Sequence, residues 1–225
     1  AIRQEIARLS CDGGCGEAEK CALLVSLLYA LDRAANTVGQ YDAFLKHIGS
    51  GVREGGRHKV DSNVYKPLVL RRPVVLFDGL NEAHCSDAAD LCARTPADVV
   101  YLDPPYNSRQ YIDCYHLPEN IMRWEKPATT GKTRKFARGH LKSSWSGKRT
   151  AASALYSLAA ALECRCIFLS YNSEGIIPEE TIISILKTRG KVEVFRKPYP
   201  VFGNGAGVSR KRHVEERLFA VTVTH

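Results

Sequence analysis

The residue types best suited to chemistry lie in the middle of the chain, where Asp103-Pro-Pro-Tyr106 follows the apolar run Val99–Leu102. The run is short, partly β-branched and bounded by polar and breaker residues, a pattern that predicts a buried strand. Each proline lacks an N–H and has a nearly fixed φ, so the strand must stop at Asp103. A rigid turn therefore holds an acid and an aromatic ring at the carboxyl end of a strand, the edge where open α/β sheets bind ligands.

The longer stretch Tyr101-Leu-Asp-Pro-Pro-Tyr-Asn-Ser-Arg-Gln-Tyr111, with Tyr115-His116 beyond it, resembles the adenine-N6 DNA methyltransferases of restriction–modification systems. The Dam-like and FokI-like members are the most similar. The resemblance implies that S-adenosylmethionine donates a methyl group to the N6 amine of an adenine in double-stranded DNA. The implied catalytic residues are Asp103, Pro104, Pro105 and Tyr106. The alternative is a plain strand-to-helix turn in which the prolines act only as a helix stop.

The resemblance also implies how these residues act. An amine inside a duplex cannot be reached, so the adenine must be flipped out of the base stack. The Asp103 carboxylate and the Pro104 carbonyl then accept hydrogen bonds from the amine, and Tyr106 stacks on the base. Methyl transfer is a direct in-line displacement helped chiefly by positioning, without a metal or a cysteine nucleophile. The implied DNA contacts after the turn are Asn107, Ser108, Arg109 and Gln110.

Two further segments match the family by position. An Asp-Ala pair before the catalytic strand contacts the adenine of the cofactor in that family, and Asp87-Ala88 occupies the corresponding place. The implied cofactor-binding residues are therefore Asp87, Ala88 and Asp103. The alternative is that Asp87 only caps a short helix. Ser170-Tyr171-Asn172 resembles the segment that lines the base pocket, or else belongs to an ordinary turn.

The Phe-x-Gly-x-Gly loop that binds the methionine end of the cofactor in these enzymes has no good match. Gly13, Gly14 and Gly16 follow a helix-like segment rather than a strand, and no helix follows Phe202–Gly207. The chain also begins with Ala1 rather than Met. We therefore expect a methyltransferase domain (residues 1–225) that is incomplete at its N-terminus, with the missing motif lost or supplied by a separate chain. Alone, it should bind S-adenosylmethionine weakly or not at all.

Residues 127–150 form the most basic stretch and contain no Asp or Glu. Its seven cations are Lys132, Arg134, Lys135, Arg138, Lys142, Lys148 and Arg149. A run of charge is usually a solvated face. The aromatic side chains Phe136 and Trp145 and the adjacent turn favour a DNA-contacting loop or insertion instead. The predicted DNA contacts within it are Lys132, Arg134, Lys135 and Lys142.

The remaining pattern predicts an α/β fold, specifically the Rossmann-like sheet of S-adenosylmethionine-dependent methyltransferases. The predicted helices are residues 17–35, a short one at 86–91 capped by Ser86, 109–124 disturbed by Pro118, 150–163 and 178–189. The predicted strands outside the catalytic one are residues 74–77, 164–171, 191–196 and 216–224. The last two should close the sheet as an antiparallel pair.

The composition of the chain indicates which binding partners and which cellular compartment suit it. The 225 residues carry 32 Lys and Arg against 24 Asp and Glu, a net charge of +8, which suits a polyanionic partner. No apolar run approaches the length of a membrane span, and no signal peptide is recognisable. The eight cysteines are scattered, which indicates reduced thiols in the cytoplasm. Cys11, Cys15 and Cys21 lack zinc-knuckle spacing and a fourth ligand, so no metal site is predicted.

Two other functions remain open from sequence. An inactive fragment without the cofactor loop would still bind DNA. A methyltransferase acting on RNA or on protein glutamine would share the Asp-Pro-Pro-Tyr chemistry with a different substrate. The Asn107–Gln110 segment favours DNA by resemblance.

Overall fold

The computed structural model describes residues 1–37, 39–44, 62–74, 79–137, 139–200 and 213–224. Its helices are α1 (Ile2–Cys11), α2 (Glu17–Ala34), α3 (Ala88–Cys92), α4 (Tyr111–Cys114), α5 (His116–Arg123), α6 (Ala151–Ala161) and α7 (Glu179–Lys187). Its strands are β1 (Ala97–Leu102), β2 (Thr129–Thr130), β3 (Lys135–Phe136), β4 (Cys164–Asn172), β5 (Gly190–Pro200) and β6 (His213–Val223). None of the helices in these ranges is long and apolar enough to cross a membrane.

The chain forms two compact units, each built from two separate segments. The helical unit comprises Ala1–Leu80 and Tyr111–Leu141, and the sheet unit comprises Asn81–Gln110 and Lys142–His225. The catalytic stretch predicted from the sequence therefore lies at the end of the first segment of the sheet unit. The predicted basic segment 127–150 is divided between the two units after Leu141.

The core of the helical unit is the apolar face shared by α1 and α2. Ile6, Leu24 and Leu27 are buried there at helical spacing, as the amphipathic pattern predicts. Glu19 stabilises the start of α2 because its carboxylate accepts the Gly16 N–H at 2.8 Å. The predicted bounds of α2 are thus confirmed to within one residue.

The sheet unit contains a four-stranded mixed sheet in the order β1-β4-β6-β5. β1 is parallel to β4, whereas β4 pairs antiparallel with β6 and β6 with β5. The predicted closing antiparallel pair is confirmed, and both strands are longer than predicted. Leu102 at the end of β1 lies opposite Leu169, so the carboxyl ends of the two parallel strands meet at one edge.

One face of the sheet carries the hydrophobic core. Alternate residues of β4 and β6 point into it, as period-two strands require, and α6 and α7 cover them with leucine and isoleucine. The most deeply buried members are Leu155, Leu158, Ile167, Leu169, Ile182, Leu186, Phe219 and Val221. The α/β class predicted from the sequence is therefore confirmed.

The prediction that β1 is buried was wrong for most of its length. Val99 is 57% exposed and Tyr101 is 61% exposed, and only Leu102 is buried. Among the described strands β1 pairs with β4 alone, and the face that carries Val99 and Tyr101 is not covered. An apolar run signals a strand but does not reveal how many neighbours the strand has.

Two helix boundaries also differ from prediction. The break in the 109–124 helix falls at Tyr115, and Pro118 is accommodated in the first turn of α5, where its missing N–H has no intrahelical acceptor. The short helix before β1 is capped by Asp87 rather than Ser86. The predicted strand at 74–77 lies outside the described residues apart from Val74.

Candidate active site

The predicted catalytic turn, Asp103–Tyr106, begins at the carboxyl edge of the sheet, where β1 ends. We refer to these four residues below as the catalytic turn. β1 stops at Leu102, and Asp103 follows in an exposed position. Tyr106 is 41% exposed, while its backbone carbonyl accepts a hydrogen bond from the Ile176 N–H at 2.9 Å. The backbone of the turn is therefore fixed to the loop after β4, and the Asp103 and Tyr106 side chains are left accessible.

That loop after β4 is itself held by buried contacts. Tyr171 is buried, its hydroxyl accepts a hydrogen bond from the Ile177 N–H at 3.3 Å, and burial raises the pKa of its phenol. The Asn172 amide donates to the Glu216 carboxylate at 2.7 Å. Both residues belong to the segment predicted to line the base pocket. Their side chains form internal hydrogen bonds that stabilise the loop.

A cavity of about 390 Å³ lies beside the catalytic turn. Its lining comes from four separated parts of the sheet unit: the start of α3, the end of β1 with the predicted catalytic turn, the segment before α6, and α6 itself. The residues are Ser86, Asp87, Ala88, Tyr101, Leu102, Asp103, Pro104, Pro105, Ser143, Trp145 and Leu158. The three predicted cofactor-binding residues, Asp87, Ala88 and Asp103, thus share one cavity.

Asp87 has a structural role that the sequence also allowed. Its carboxylate oxygen Oδ1 accepts the Ala89 N–H at 2.9 Å and caps α3. A carboxylate has two oxygens and several acceptor positions, so a cap does not exhaust it. Capping and ligand contact are therefore compatible at this residue.

The residues after the catalytic turn are tied to the segment before α6. The Gln110 amide donates to the Ser143 carbonyl at 3.0 Å and accepts the Ser143 N–H at 2.7 Å. The buried Ser146 hydroxyl donates to the Arg109 carbonyl at 2.9 Å. Asn107 accepts the Arg109 N–H at 2.9 Å, which closes a local turn. These ties hold the predicted DNA-contacting loop rigid, and its contacts with DNA stay a prediction.

In the helical unit, the predicted basic segment forms a short hairpin from β2 and β3. The buried His116 ring fixes its tip, because Nε2 lies 2.7 Å from the Thr133 carbonyl oxygen. Lys132 and Arg134 are exposed at that tip, and Lys135 is half-buried. In the sheet unit Lys142 is exposed. Arg138 lies outside the described residues.

The two aromatic rings of this segment do not stand among its cations as the sequence suggested. Phe136 is buried and packs edge-on against His116, with ring centroids 6.5 Å apart. Trp145 is half-buried, packs against the core of the sheet unit and lines the cavity. Sequence reasoning missed Trp145 as a site residue because nothing local links it to Asp103, and only the fold brings them together.

No group of three or more His, Cys, Asp or Glu side chains that could hold a metal occurs in the described part of the chain. The cavity is lined by the carboxylates of Asp87 and Asp103, the flat indole ring of Trp145 and aliphatic side chains. That mixture suits an organic ligand with an aromatic ring and a few polar groups.

A mixed α/β sheet with Asp-Pro-Pro-Tyr at the carboxyl end of a strand, beside such a cavity, is typical of amino-group methyltransferases. The chain belongs to the D12 class N6 adenine-specific DNA methyltransferase family, which matches residues 17–185. Use of S-adenosylmethionine is a general property of methyltransferases of this kind, as the resemblance implied. No solved structure matches the chain.

Curated relatives are similar over most of the chain. Modification methylase StsI of Streptococcus sanguinis is 38% identical over 210 residues, which are 91% of this chain and 30% of that protein. Type II methyltransferase M.FokI of Planomicrobium okeanokoites is 34% identical over 200 residues, 87% of this chain and 28% of that protein. Type II methyltransferase M.NlaIII of Neisseria lactamica is 31% identical over 182 residues, covering 80% and 50%. The chain thus spans half or less of the length of these relatives.

Proposed function

We propose that the chain transfers a methyl group from S-adenosylmethionine to the N6 amine of a flipped adenine in double-stranded DNA. The observation that carries the proposal is the shared cavity, where the turn Asp103–Pro105 lies beside the Asp87-Ala88 pair. Family membership supports adenine in DNA over RNA or protein glutamine as the substrate.

The size and the lining of the cavity support the proposal that it takes the cofactor. Its volume of about 390 Å³ falls within the about 300–1,000 Å³ usual for small-molecule sites. Asp87 would accept a hydrogen bond from the exocyclic amine of the cofactor's adenine, and Trp145 with Leu158 would cover the ring. When bound, S-adenosylmethionine supplies the electrophilic methyl group on its sulfonium.

The accessible side of the turn would hold the substrate base. Asp103 and the Pro104 carbonyl would accept hydrogen bonds from the N6 amine and direct its lone pair towards the methyl group. Tyr106 would stack on the flipped ring, since its ring is partly exposed while its backbone is fixed by Ile176. The rate enhancement would come mainly from orientation of the two reactants.

DNA contacts would come from both units. Exposed cations suit phosphate binding, which needs charge rather than fixed geometry. The proposed phosphate contacts are Lys132, Arg134, Lys135 and Lys142. The proposed contacts next to the base pocket are Asn107, Ser108 and Arg109. A DNA substrate and eight cysteines that form no disulfide in the described part of the chain suit a reducing cytoplasm.

The four-stranded sheet would belong to a larger, Rossmann-like sheet. Doubly wound sheets carry helices on both faces, and strands lie on both sides of the position where the ligand binds. In this chain, by contrast, the sheet face that bears Val99 and Tyr101 is exposed. A further polypeptide segment with a Phe-x-Gly-x-Gly loop, in the same protein or in a separate chain, would pair beyond β1 and complete the cofactor site.

The test is the identity of the product. The chain is incubated with methyl-labelled S-adenosylmethionine and a mixture of duplex DNA, RNA and protein, with and without the loop-bearing segment of a relative supplied as a second polypeptide. Digestion and mass spectrometry should find label in N6-methyladenine. Label in RNA or protein but not in DNA would contradict the substrate, and DNA binding without transfer under both conditions would identify a binding-only module.

A further inference from the structure

The side chain of Gln110 pairs with the backbone of a segment 33 residues away. Its amide N–H donates to the Ser143 carbonyl at 3.0 Å, and its carbonyl oxygen accepts the Ser143 N–H at 2.7 Å. A carboxamide bonded in this way mimics a neighbouring β-strand, because it pairs with both the backbone N–H and the backbone C=O of one residue. Both bonds are partly buried, so leaving the Ser143 groups unpaired would be unfavourable.

The two ends of this pairing belong to different walls of the site. Gln110 closes the loop that starts at the catalytic turn. Ser143 begins the opposite wall, and its hydroxyl accepts the Trp145 N–H at 3.2 Å and so orients the residue that lines the cavity. The bond from Ser146 to the Arg109 carbonyl ties the same two segments a second time.

We propose that Gln110 is a positioning residue that holds the Ser143–Trp145 wall against the catalytic turn and thereby shapes the cofactor cavity. The proposal rests on the cofactor assignment of that cavity. It gives Gln110 a role other than the DNA contact expected from sequence. A glutamine amide retains one N–H and one lone pair beyond these bonds, so DNA contact is a distinct outcome that the experiment must separate.

The experiment uses Trp145 as a reporter. Trp124 is the second tryptophan of the chain, so Trp124→Phe leaves Trp145 as the single indole. In that background Gln110→Ala should shift the Trp145 emission to longer wavelength and steepen its quenching by acrylamide, because the wall loosens. The affinity for S-adenosylmethionine, measured with a loop-bearing segment that lacks tryptophan and followed by the same emission, should fall about tenfold. Gln4→Ala, at an exposed position of α1, is the matched control and should change neither signal.

Three further variants guard against a general loss of folding. Gln110→Glu keeps the size and the acceptor for the Ser143 N–H but loses the donor, so its effects should be intermediate. Ser143→Pro removes the N–H together with the hydroxyl at a residue whose φ of −86° lies close to the range of proline, while Ser143→Ala removes only the hydroxyl. The effect of Gln110→Ala on Trp145 should be smaller in Ser143→Pro than in Ser143→Ala, since the two changes then share one bond.

The outcomes are separable. An unchanged Trp145 signal in Gln110→Ala overturns the proposal, and so does a loss of DNA affinity with Trp145 and cofactor affinity unaltered, which would make Gln110 a DNA contact. If the unsubstituted chain does not bind S-adenosylmethionine even with the loop-bearing segment, the proposed function fails. The ligand-free Trp145 signal still decides whether Gln110 holds the wall.

Discussion

Asp87 is the residue at which a structural and a functional role can be separated by substitution. Asparagine is as good a helix cap as aspartate, so Asp87→Asn should leave the stability unchanged while weakening cofactor binding, because the second acceptor oxygen is replaced by an amino group. Asp87→Ala should lose both the cap, at about 1 kcal/mol, and the contact. Thermal unfolding measures the stability, and calorimetric titration with S-adenosylmethionine in the presence of the loop-bearing segment measures the binding, with Asp90→Asn in the same turn as the control. Cofactor binding that follows stability alone would leave Asp87 as a cap only.

Tyr106 is proposed to act through its ring rather than its hydroxyl. Tyr106→Phe should therefore have a mild effect on the single-turnover methylation rate, because stacking is kept. Tyr106→Ala should cost about 1–3 kcal/mol of base binding, the usual size of a base–aromatic stack. Tyr156 on α6 is exposed to a similar degree, and Tyr156→Ala is the control. Equal losses in the phenylalanine and alanine variants would show that the hydroxyl is the important group.

At this scale the sequence pointed to residues that match the family by motif or by position, and it did not point to Trp145, which only the fold brings beside them. Asp103 and Tyr106 were recognisable because they lie within eleven consecutive residues. Trp145 was not, since it is separated from Asp103 along the chain and its environment depends on α6 and on Ser143. The internal roles of Tyr171 and Asn172 were missed for the same reason.

The loop after β4 is the element that fixes the backbone of the catalytic turn, and Gly175 is its tightest point. A Cβ at Gly175 would lie 2.2 Å from the Tyr171 ring and 2.9 Å from the Asn172 carbonyl oxygen. Gly175→Ala should therefore destabilise the chain by about 1–3 kcal/mol, and the displaced Ile176 should slow methyl transfer. Urea unfolding measures the stability. Gly139→Ala, where a Cβ meets nothing within 4 Å, should be neutral, and a neutral Gly175→Ala would show that the loop adapts freely.

The basic segment, residues 127–150, is proposed to bind DNA phosphates. Its proposed contacts are Lys132, Arg134 and Lys135 in the helical unit and Lys142 in the sheet unit. Replacing Lys132, Arg134, Lys135 and Lys142 together by glutamine should weaken DNA binding and reduce its salt dependence by about 0.9 in slope per lost phosphate contact. Fluorescence anisotropy over a range of salt concentrations gives the slope. Lys187→Gln, at an exposed position of α7, is the control. A slope that does not change would remove this segment from the DNA interface.

Element types were predictable where periodicity was strong, as for α2, α6 and β4, because one buried face imposes a pattern on the sequence. The exposure of a strand was not predictable in the same way. β1 carries an apolar run, yet the run alone does not specify which neighbouring elements cover the strand.

At the scale of the whole molecule, the division into two units was beyond sequence reasoning. Each unit combines two segments, and the chain passes between the units three times, after Leu80, after Gln110 and after Leu141. No linker composition marks the crossings after Gln110 and after Leu141, since both occur within stretches of ordinary polar sequence. The class of protein was predictable, because the motif that carries it is local and lies within the family match at residues 17–185.

The central claim is that the Asp103 turn orients an adenine amine for methylation, and one paired substitution tests it most directly. Asp103→Ala is compared with Asp98→Ala, a change within the preceding strand β1 at a side chain that is 83% exposed. Single-turnover methylation of duplex DNA is measured together with the loop-bearing segment, and DNA affinity is measured in parallel. Asp103→Ala should lower the rate by about 100-fold or more with DNA affinity nearly unchanged, because misplaced reactants alone cost that much, whereas Asp98→Ala should behave like the unsubstituted chain. Full activity in Asp103→Ala would contradict the account.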